Sequence, residues 1–352
     1  MSPLLEVRDL KVNFATEDGI VHAADGISYT IDRGEALGIV GESGSGKSVS
    51  ALTVMGLTRF QHARISGEIL FDGRDLLKAS DEEMRKIRGN DIAMIFQDPL
   101  SSLHPFYKVG RQLVEAIRIH QHVSKQQAKQ RAIELLSLVG IPDPKRRFEA
   151  YPHEFSGGMR QRAMIAMALV NDPRLLIADE PTTALDVTVQ AQILDLIARL
   201  QAELGMAVIL ITHDLGVVAE VTDHIAVMYA GRIVEKADKR DIFRAPEHPY
   251  TWGLLQSIPR LDRPRDEELV PISGRPPSLI NRPSGCHFHP RCPYVRQRHR
   301  EVDPQLEPLP DDSTHLVACL LASETRKRLW QELSAGKQPQ EARAEIVEGG
   351  MA

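Results

Sequence analysis

The chain has 352 residues, 42 % of them apolar, enough for a packed core and for more than one domain. Its formal net charge of −5 and pI near 6.2 argue against the broad basic field by which proteins hold nucleic acid. No apolar stretch nears the ~20 residues that span a bilayer, Met1–Arg8 lacks a secretory pattern, and all three cysteines lie beyond residue 285, unlike a secreted disulfide framework; a soluble, cytosolic chain is expected.

Residues 4–33 alternate short β-rich runs (Leu4 to Val7, Lys11 to Phe14, Ile27 to Ile31) with turn signals at Asp18-Gly19 and Asp25-Gly26, which predicts a small antiparallel sheet. Phe14 offers a flat aromatic face that could stack on a base, although strand aromatics more often serve the core. The apolar run Leu37 to Val40 then reads as a buried strand, followed at once by Gly41, Glu42, Ser43, Gly44, Ser45, Gly46, Lys47 and Ser48. Strand, glycine-rich loop and helix start, in that order, make a phosphate-binding loop. Its glycines let the backbone curl until successive N–H groups face phosphate oxygens, and the helix that follows aims its positive end there. Lys47 then reaches the β- and γ-phosphates, and the Ser48 hydroxyl ligates Mg²⁺.

Beyond the loop, Ile65 to Leu70 with Phe71-Asp72-Gly73 reads as a strand and turn, and Ser80 to Arg88 as a helix whose Ser80 and Glu83 form a capping box. The apolar strand Ile92 to Phe96 closes on Gln97, Asp98 and Pro99; a glutamine there can carry its amide to a metal-bound oxygen or a water. From about 98 to 157 the periodicity turns helical, with a second capping box at Ser124 and Gln127 and a terminating Gly140, so a helical insertion is expected. The exposed, turn-like stretch from Ser101 to Gly110 suits a contact surface.

At Phe155 the sequence reads FSGGM, where Ser156 caps a helix and Gly157 and Gly158 bare its first N–H groups, a second anion site. One nucleotide does not need two such sites, so a second molecule contributing its own is expected. Leu175 to Ala178 is a buried strand ending in Asp179, placed to hold Mg²⁺, and Glu180, placed to orient or deprotonate a water. Asp186 caps the next helix, and the strand Ala207 to Ile211 ends in Thr212 and His213. His213 thus stands at the rim where ligands of open α/β sheets gather.

In all of this, over about residues 4–250, the chain resembles the ATP-binding subunit of an ABC transporter. The quoted motifs are GESGSGKS, the glutamine Gln97, FSGGM where LSGGQ is commoner, LLIADE, ALD and the histidine His213. The resemblance implies an α/β fold: a P-loop NTPase with a RecA-like parallel core, an N-terminal antiparallel β subdomain, a helical insertion and a small C-terminal extension. It implies ATP hydrolysis with Mg²⁺ at Ser48, Gln97 and Asp179, and nucleotides sandwiched between Gly41–Ser48 of one domain and Ser156–Gly158 of another. Glu180 would be the catalytic carboxylate, His213 the γ-phosphate contact, Gln97 the link to the membrane partner and Phe14 the adenine-stacking residue.

A narrower resemblance covers HPYTWGLLQSIPRLD (His248 to Asp262), PPSLI (Pro276 to Ile280) and GCHFHPRCPY (Gly285 to Tyr294), which are similar to oligopeptide and dipeptide importers, with SLHP at Ser102 to Pro105 in place of SLNP. It implies a peripheral subunit on the cytoplasmic side of the cell membrane. Its partners would be a second, non-identical ATPase, two transmembrane permeases and, indirectly, an extracytoplasmic peptide-binding protein. Nucleic acid is not among them. A soluble non-transport ATPase, or an importer of nickel or another metal chelate, is the alternative.

Cys286, Cys292 and Cys319, with His299 where the subgroup often has a fourth cysteine, imply a candidate four-iron, four-sulfur cluster; tetrahedral zinc and an unmetallated pair of loop cysteines are the other readings. The expected domains are thus 1–250 for the ATP-binding unit, 251–322 for the extension with its cysteine segment, and 323–352 for a tail. Within that tail a helix is expected near Glu324 to Leu333, with disorder by composition from Ala335.

Overall fold

The computed structural model describes residues 2–97, 102–183, 185–258 and 271–348. Asp98 and Pro99, Ala184 and the end of the HPYTWGLLQSIPRLD run lie outside them.

Strands β1 (Leu5–Thr16) and β2 (Gly19–Ile31) pair antiparallel, β3 (Ala36–Val40) leads into the phosphate loop, and β4 (Ala63–Phe71) and β5 (Arg74–Asp75) complete a four-stranded antiparallel sheet in the order β2-β1-β4-β5. The second sheet takes β3 with β6 (Ile92–Ile95), β7 (Leu175–Asp179), β8 (Ala207–Thr212), β9 (His224–Tyr229), β10 (Arg232–Asp238), β11 (Glu307–Pro308) and β12 (Leu316–Val317). Its order is β11-β12-β10-β9-β3-β8-β7-β6. The block from β9 to β6 is parallel, and β10 onward antiparallel.

Buried on both faces, β3, β7 and β8 are apolar almost throughout, as central parallel strands must be. Alternation still sorts their side chains. Leu37, Ile39, Leu175, Ile177, Ile209 and Ile211 point into the core shared with the antiparallel sheet and the helix Lys47–Val54. Their neighbours Ala36, Val40, Leu176, Ala178, Val208 and Leu210 point into the opposite core, shared with the helical insertion and the extension. A β-sheet between two layers is the result, with the carboxyl ends of β3, β6, β7 and β8 along one rim.

Between β6 and β7 the chain forms the helices Val109–His120, Lys125–Leu138, Pro144–Phe148 and Gly157–Ala168. Both capping boxes form: Ser80 accepts from Glu83 N–H and Ser124 from Gln127 N–H, each glutamyl or glutaminyl side chain reaching back to the cap's own N–H. Gly140, at φ +75°, follows the second of these helices.

Two local expectations change. Asp25-Gly26 is not a turn but a bulge inside β2: Lys11 faces Asp25 and Leu10 faces Ile27, so Gly26, at φ +79°, is the extra residue. Asp25 is held there by Arg232 and Arg282, partners invisible to local pattern. The stretch from Ala335, read as disordered, instead carries a helix, Pro339–Glu348. Ala342 is fully buried and Arg343 donates to the Pro293 carbonyl at 3.0 Å. Its polar composition hides a short seam against the helix Ser323–Ser334, which spans the Glu324 to Leu333 helix expected from the sequence.

The extension is joined to the core sheet through β12, which pairs with β10, and through buried polar links. Glu235 on β10 is fully buried; it accepts from the N–H groups of Glu247 and His248 and pairs with the His315 ring at 2.8 Å. Arg326 donates to Glu247 at 2.5 Å, both side chains buried.

Candidate functional site

Gly46 is the cap of the helix Lys47–Val54 and stands at φ +99°, where a Cβ would meet the Ala23 carbonyl oxygen at 2.1 Å. Only glycine fits, and the constraint fixes the loop's curl. Lys47 is buried, and its Nζ donates to the carbonyls of Gly41 (2.7 Å) and Glu42 (3.0 Å), so the ammonium folds back over its own loop. Burial pulls its pKa down, against the opposing charges of Glu180, Asp179 and Glu42. Among the described residues the buried Ser45 hydroxyl has no partner, an orphaned polar atom within the loop. Ser43 and Gly44 are exposed at its tip.

At the end of β7, Asp179 accepts from the Ser48 hydroxyl at 3.0 Å. This oxygen pair is of the hard type that Mg²⁺ prefers, so the residues fit the ion. Burial raises the Asp179 pKa, the Ser48 hydrogen bond opposing it and the Glu180 charge adding to it. Glu180 lies just past the strand at φ +47°, a left-handed backbone rare for a side-chain residue and frequent at functional sites. Its amide donates to the Ile211 carbonyl of β8 at 2.8 Å, tying the turn to the next strand.

Three side chains converge on the Glu180 carboxylate: Gln97 Nε2 donates at 2.9 Å, the Thr183 hydroxyl at 2.9 Å, and His213 Nδ1 lies at 3.3 Å. Burial pushes this carboxyl up, but the hydrogen bonds from Thr183 and His213 and the charges of His213 and Lys47 outweigh it, and its pKa lies below the ordinary value. An ionised carboxylate with a fixed donor set can align and deprotonate a water. Gln97, Asp179, Glu180 and His213 come from the ends of β6, β7 and β8, beside the loop after β3. The sheet order makes them neighbours although sequence separates them.

Two predicted contributors stand apart from this group. Ser156 caps its helix, accepting from Met159 N–H at 3.3 Å. With Gly157 and Gly158 it lines an open cleft with Leu185, Asp186 and Gln192, away from the phosphate loop. Phe14 is half-buried on β1 and packs against the core beneath the antiparallel sheet, 6.2 Å from the His62 ring.

Sequence reasoning missed what lies under Glu42. Its backbone N–H donates to the Tyr250 hydroxyl at 2.9 Å, and its carboxylate takes both guanidinium nitrogens of Arg291, at 2.5 and 3.0 Å. A glutamate inside an anion-binding loop was the available signal. Thr183, whose hydroxyl donates to Glu180, was likewise missed.

The expected iron-sulfur site finds no support in the arrangement of its residues. Cys286 and Cys292 are buried core residues, with Cys319 packed against the same core and His299 buried. Yet among the described residues no three His, Cys, Asp or Glu side chains gather into a group able to hold a metal. Burial raises the pKa of all three thiols, Cys319 to about 12; His299 Nδ1 accepts from the Arg296 N–H at 3.1 Å, and its Nε2 is buried with no partner among the described residues.

The family profile described as ABC transporter matches residues 24–183, and that of the oligopeptide/dipeptide transporter C-terminal region matches 234–298. The chain is 53 % identical over 315 residues to the oligopeptide transport ATP-binding protein of Bacillus subtilis (strain 168), covering 89 % of this chain and 87 % of the relative. To the dipeptide transport ATP-binding protein of the same organism it is 55 % identical over 294 residues, covering 83 % and 88 %. Among solved structures it is similar to a dimeric ATP-binding cassette in a post-hydrolysis state with ADP and Pi. There the TM-score is 0.60 and the identity 27 %, over 67 % of this chain and 99 % of that one.

Proposed function

The chain belongs to the ATP-binding proteins of ABC transporters, in the oligopeptide and dipeptide group, and from that premise we propose that it is one of two non-identical ATPases driving peptide import from the cytoplasmic side of the membrane. ATP hydrolysis is the family's chemistry. The observation that carries the residue assignments is the convergence of Lys47, Ser48, Asp179, Glu180, Gln97 and His213 at one rim of the parallel sheet.

On this reading Lys47 leaves its two loop carbonyls for the β- and γ-phosphates, and the loop amides from Gly41 to Ser48 cradle them. Ser48, Asp179 and Gln97 would hold Mg²⁺, which, when bound, draws negative charge from the phosphates. Glu180, kept ionised by Thr183 and His213, orients the attacking water and takes its proton. His213, 62 % exposed, is free to meet the γ-phosphate once ATP enters. Phe14 offers its face to the adenine. The exposed Ser156–Gly158 corner is the half-site this chain lends to the ATP held by its partner. ATP binding then closes the pair of ATPases, closure opens the permeases, and hydrolysis resets them. Peptide choice rests with the binding protein and permeases.

Affinity purification of the full chain from native membranes, with mass spectrometry of its companions, tests this assembly. Recovery of two multi-spanning permeases and a second ATPase is expected; ribosomes or DNA-associated proteins without a membrane subunit would overturn the importer reading.

A further inference from the structure

A phosphate-binding loop gathers positive electrostatic potential for a polyanion, and a carboxylate within it works against that purpose. Glu42, the second residue of GESGSGKS, is such a carboxylate, 29 % exposed and next to the Gly41 carbonyl that Lys47 contacts. Its neutralising partner comes from 249 positions away. The Arg291 side chain is only 4 % exposed and grips Glu42 with both terminal nitrogens, a bidentate geometry that fixes direction as well as charge.

Arg291 itself has little freedom. Its Nε donates to the Ser273 carbonyl at 3.0 Å and its Nη2 to the Ile272 carbonyl at 3.4 Å. Its guanidinium lies 5.8 Å from the centre of the Tyr229 ring. Below it Tyr229, Tyr250 and Phe288 form a buried aromatic trio, with ring centres 4.7 to 5.5 Å apart. From that trio the Tyr250 hydroxyl accepts the Glu42 N–H. Side chain and backbone of one loop residue are thus both held by the C-terminal part of the chain, while its carbonyl receives Lys47.

We propose that Arg291 is a positioning residue for nucleotide binding: it cancels the Glu42 charge and draws that carboxylate down, away from the loop's anion-binding face, so that the extension is an integral part of the ATP site. The inference rests on reading Gly41–Ser48 as that site and adds a residue outside the sequence motifs. A purely structural Arg291 would make the loss on its removal independent of Glu42. A charge-cancelling one makes the two changes offset each other.

The test is equilibrium binding of ATP to the full chain at low and high salt, with adenosine as an uncharged probe, for the unaltered protein, Arg291→Met, Arg291→Lys and the double variant Arg291→Met/Glu42→Gln. Arg291→Met is expected to bind ATP about tenfold more weakly, with a smaller loss at high salt and little change for adenosine. Arg291→Lys and the double variant should each recover most of the affinity. If Arg291→Met does not fold, the double variant and Arg291→Lys decide alone. A double variant tenfold weaker than the unaltered chain, or an Arg291→Met loss equal for ATP and adenosine, overturns the proposal. Failure of the unaltered chain to bind ATP at all would remove the phosphate-loop reading instead.

Discussion

Glu180 combines two marks of a working residue: a left-handed backbone that costs about 1–3 kcal/mol and a carboxylate with three converging neighbours. Glu180→Gln keeps the shape and its acceptor oxygen but loses the basic carboxylate. Phosphate release should fall by about 10²–10⁴-fold while ATP binding persists and the closed dimer accumulates, seen by size-exclusion chromatography in ATP. Turnover at the unaltered rate would remove Glu180 from its role. Gly46 makes the complementary case, since its demand is steric. Gly46→Ala places a Cβ 2.1 Å from a carbonyl oxygen on a backbone already at φ +99°. The loop must shift, and ATP affinity measured by titration should drop by about 5–150-fold, the factor that 1–3 kcal/mol implies.

Among the elements, helix starts and sheet joints carry separable energies. Ser156→Ala removes the acceptor for the Met159 N–H and should cost about 1 kcal/mol of stability, read as a lower denaturant midpoint with an unchanged slope. The joint between β10 and β12 has a pH signature. Burial lowers the His315 pKa, but the hydrogen bond and charge of Glu235, with the charges of Glu247 and Asp241, outweigh it and raise it above 6.5. A raised histidine pKa stabilises the fold fully below pH 6.5 and loses that contribution as pH climbs through the folded-state value. The melting-temperature gap between the unaltered chain and His315→Gln should therefore be widest in mildly acidic buffer and narrow towards alkaline pH. A gap that widens with pH would contradict the pairing.

For the whole molecule, local signals and distant contacts were unequally legible. The phosphate loop, both capping boxes and the apolar strands were readable because each depends on residues within a few positions of one another. Arg291 under Glu42, Arg232 on Asp25 and the strand β12 beside β10 were not, because a contact across 80 to 249 positions leaves no periodicity. The cysteine segment is legible only as spacing: the fold buries Cys286 and Cys292 and packs Cys319 against the same core. Both tryptophans, Trp252 and Trp330, lie in the C-terminal part, their rings 6.5 Å apart. Fluorescence therefore reports the extension and far-UV dichroism the whole. Because Arg326 and Glu247 form a buried pair, Arg326→Met should cost about 3–5 kcal/mol and lower both transitions together, whereas separate transitions would mean that the extension melts alone. The two-residue strand β11 has one more consequence. It is the outermost strand of the large sheet, too short to recruit another chain, and Pro308 lacks the N–H that such pairing needs. Cutting the chain before it would remove β12 as well and leave β10 as the edge of the sheet, and the truncated protein is expected to self-associate, read as growth of particle size in light scattering.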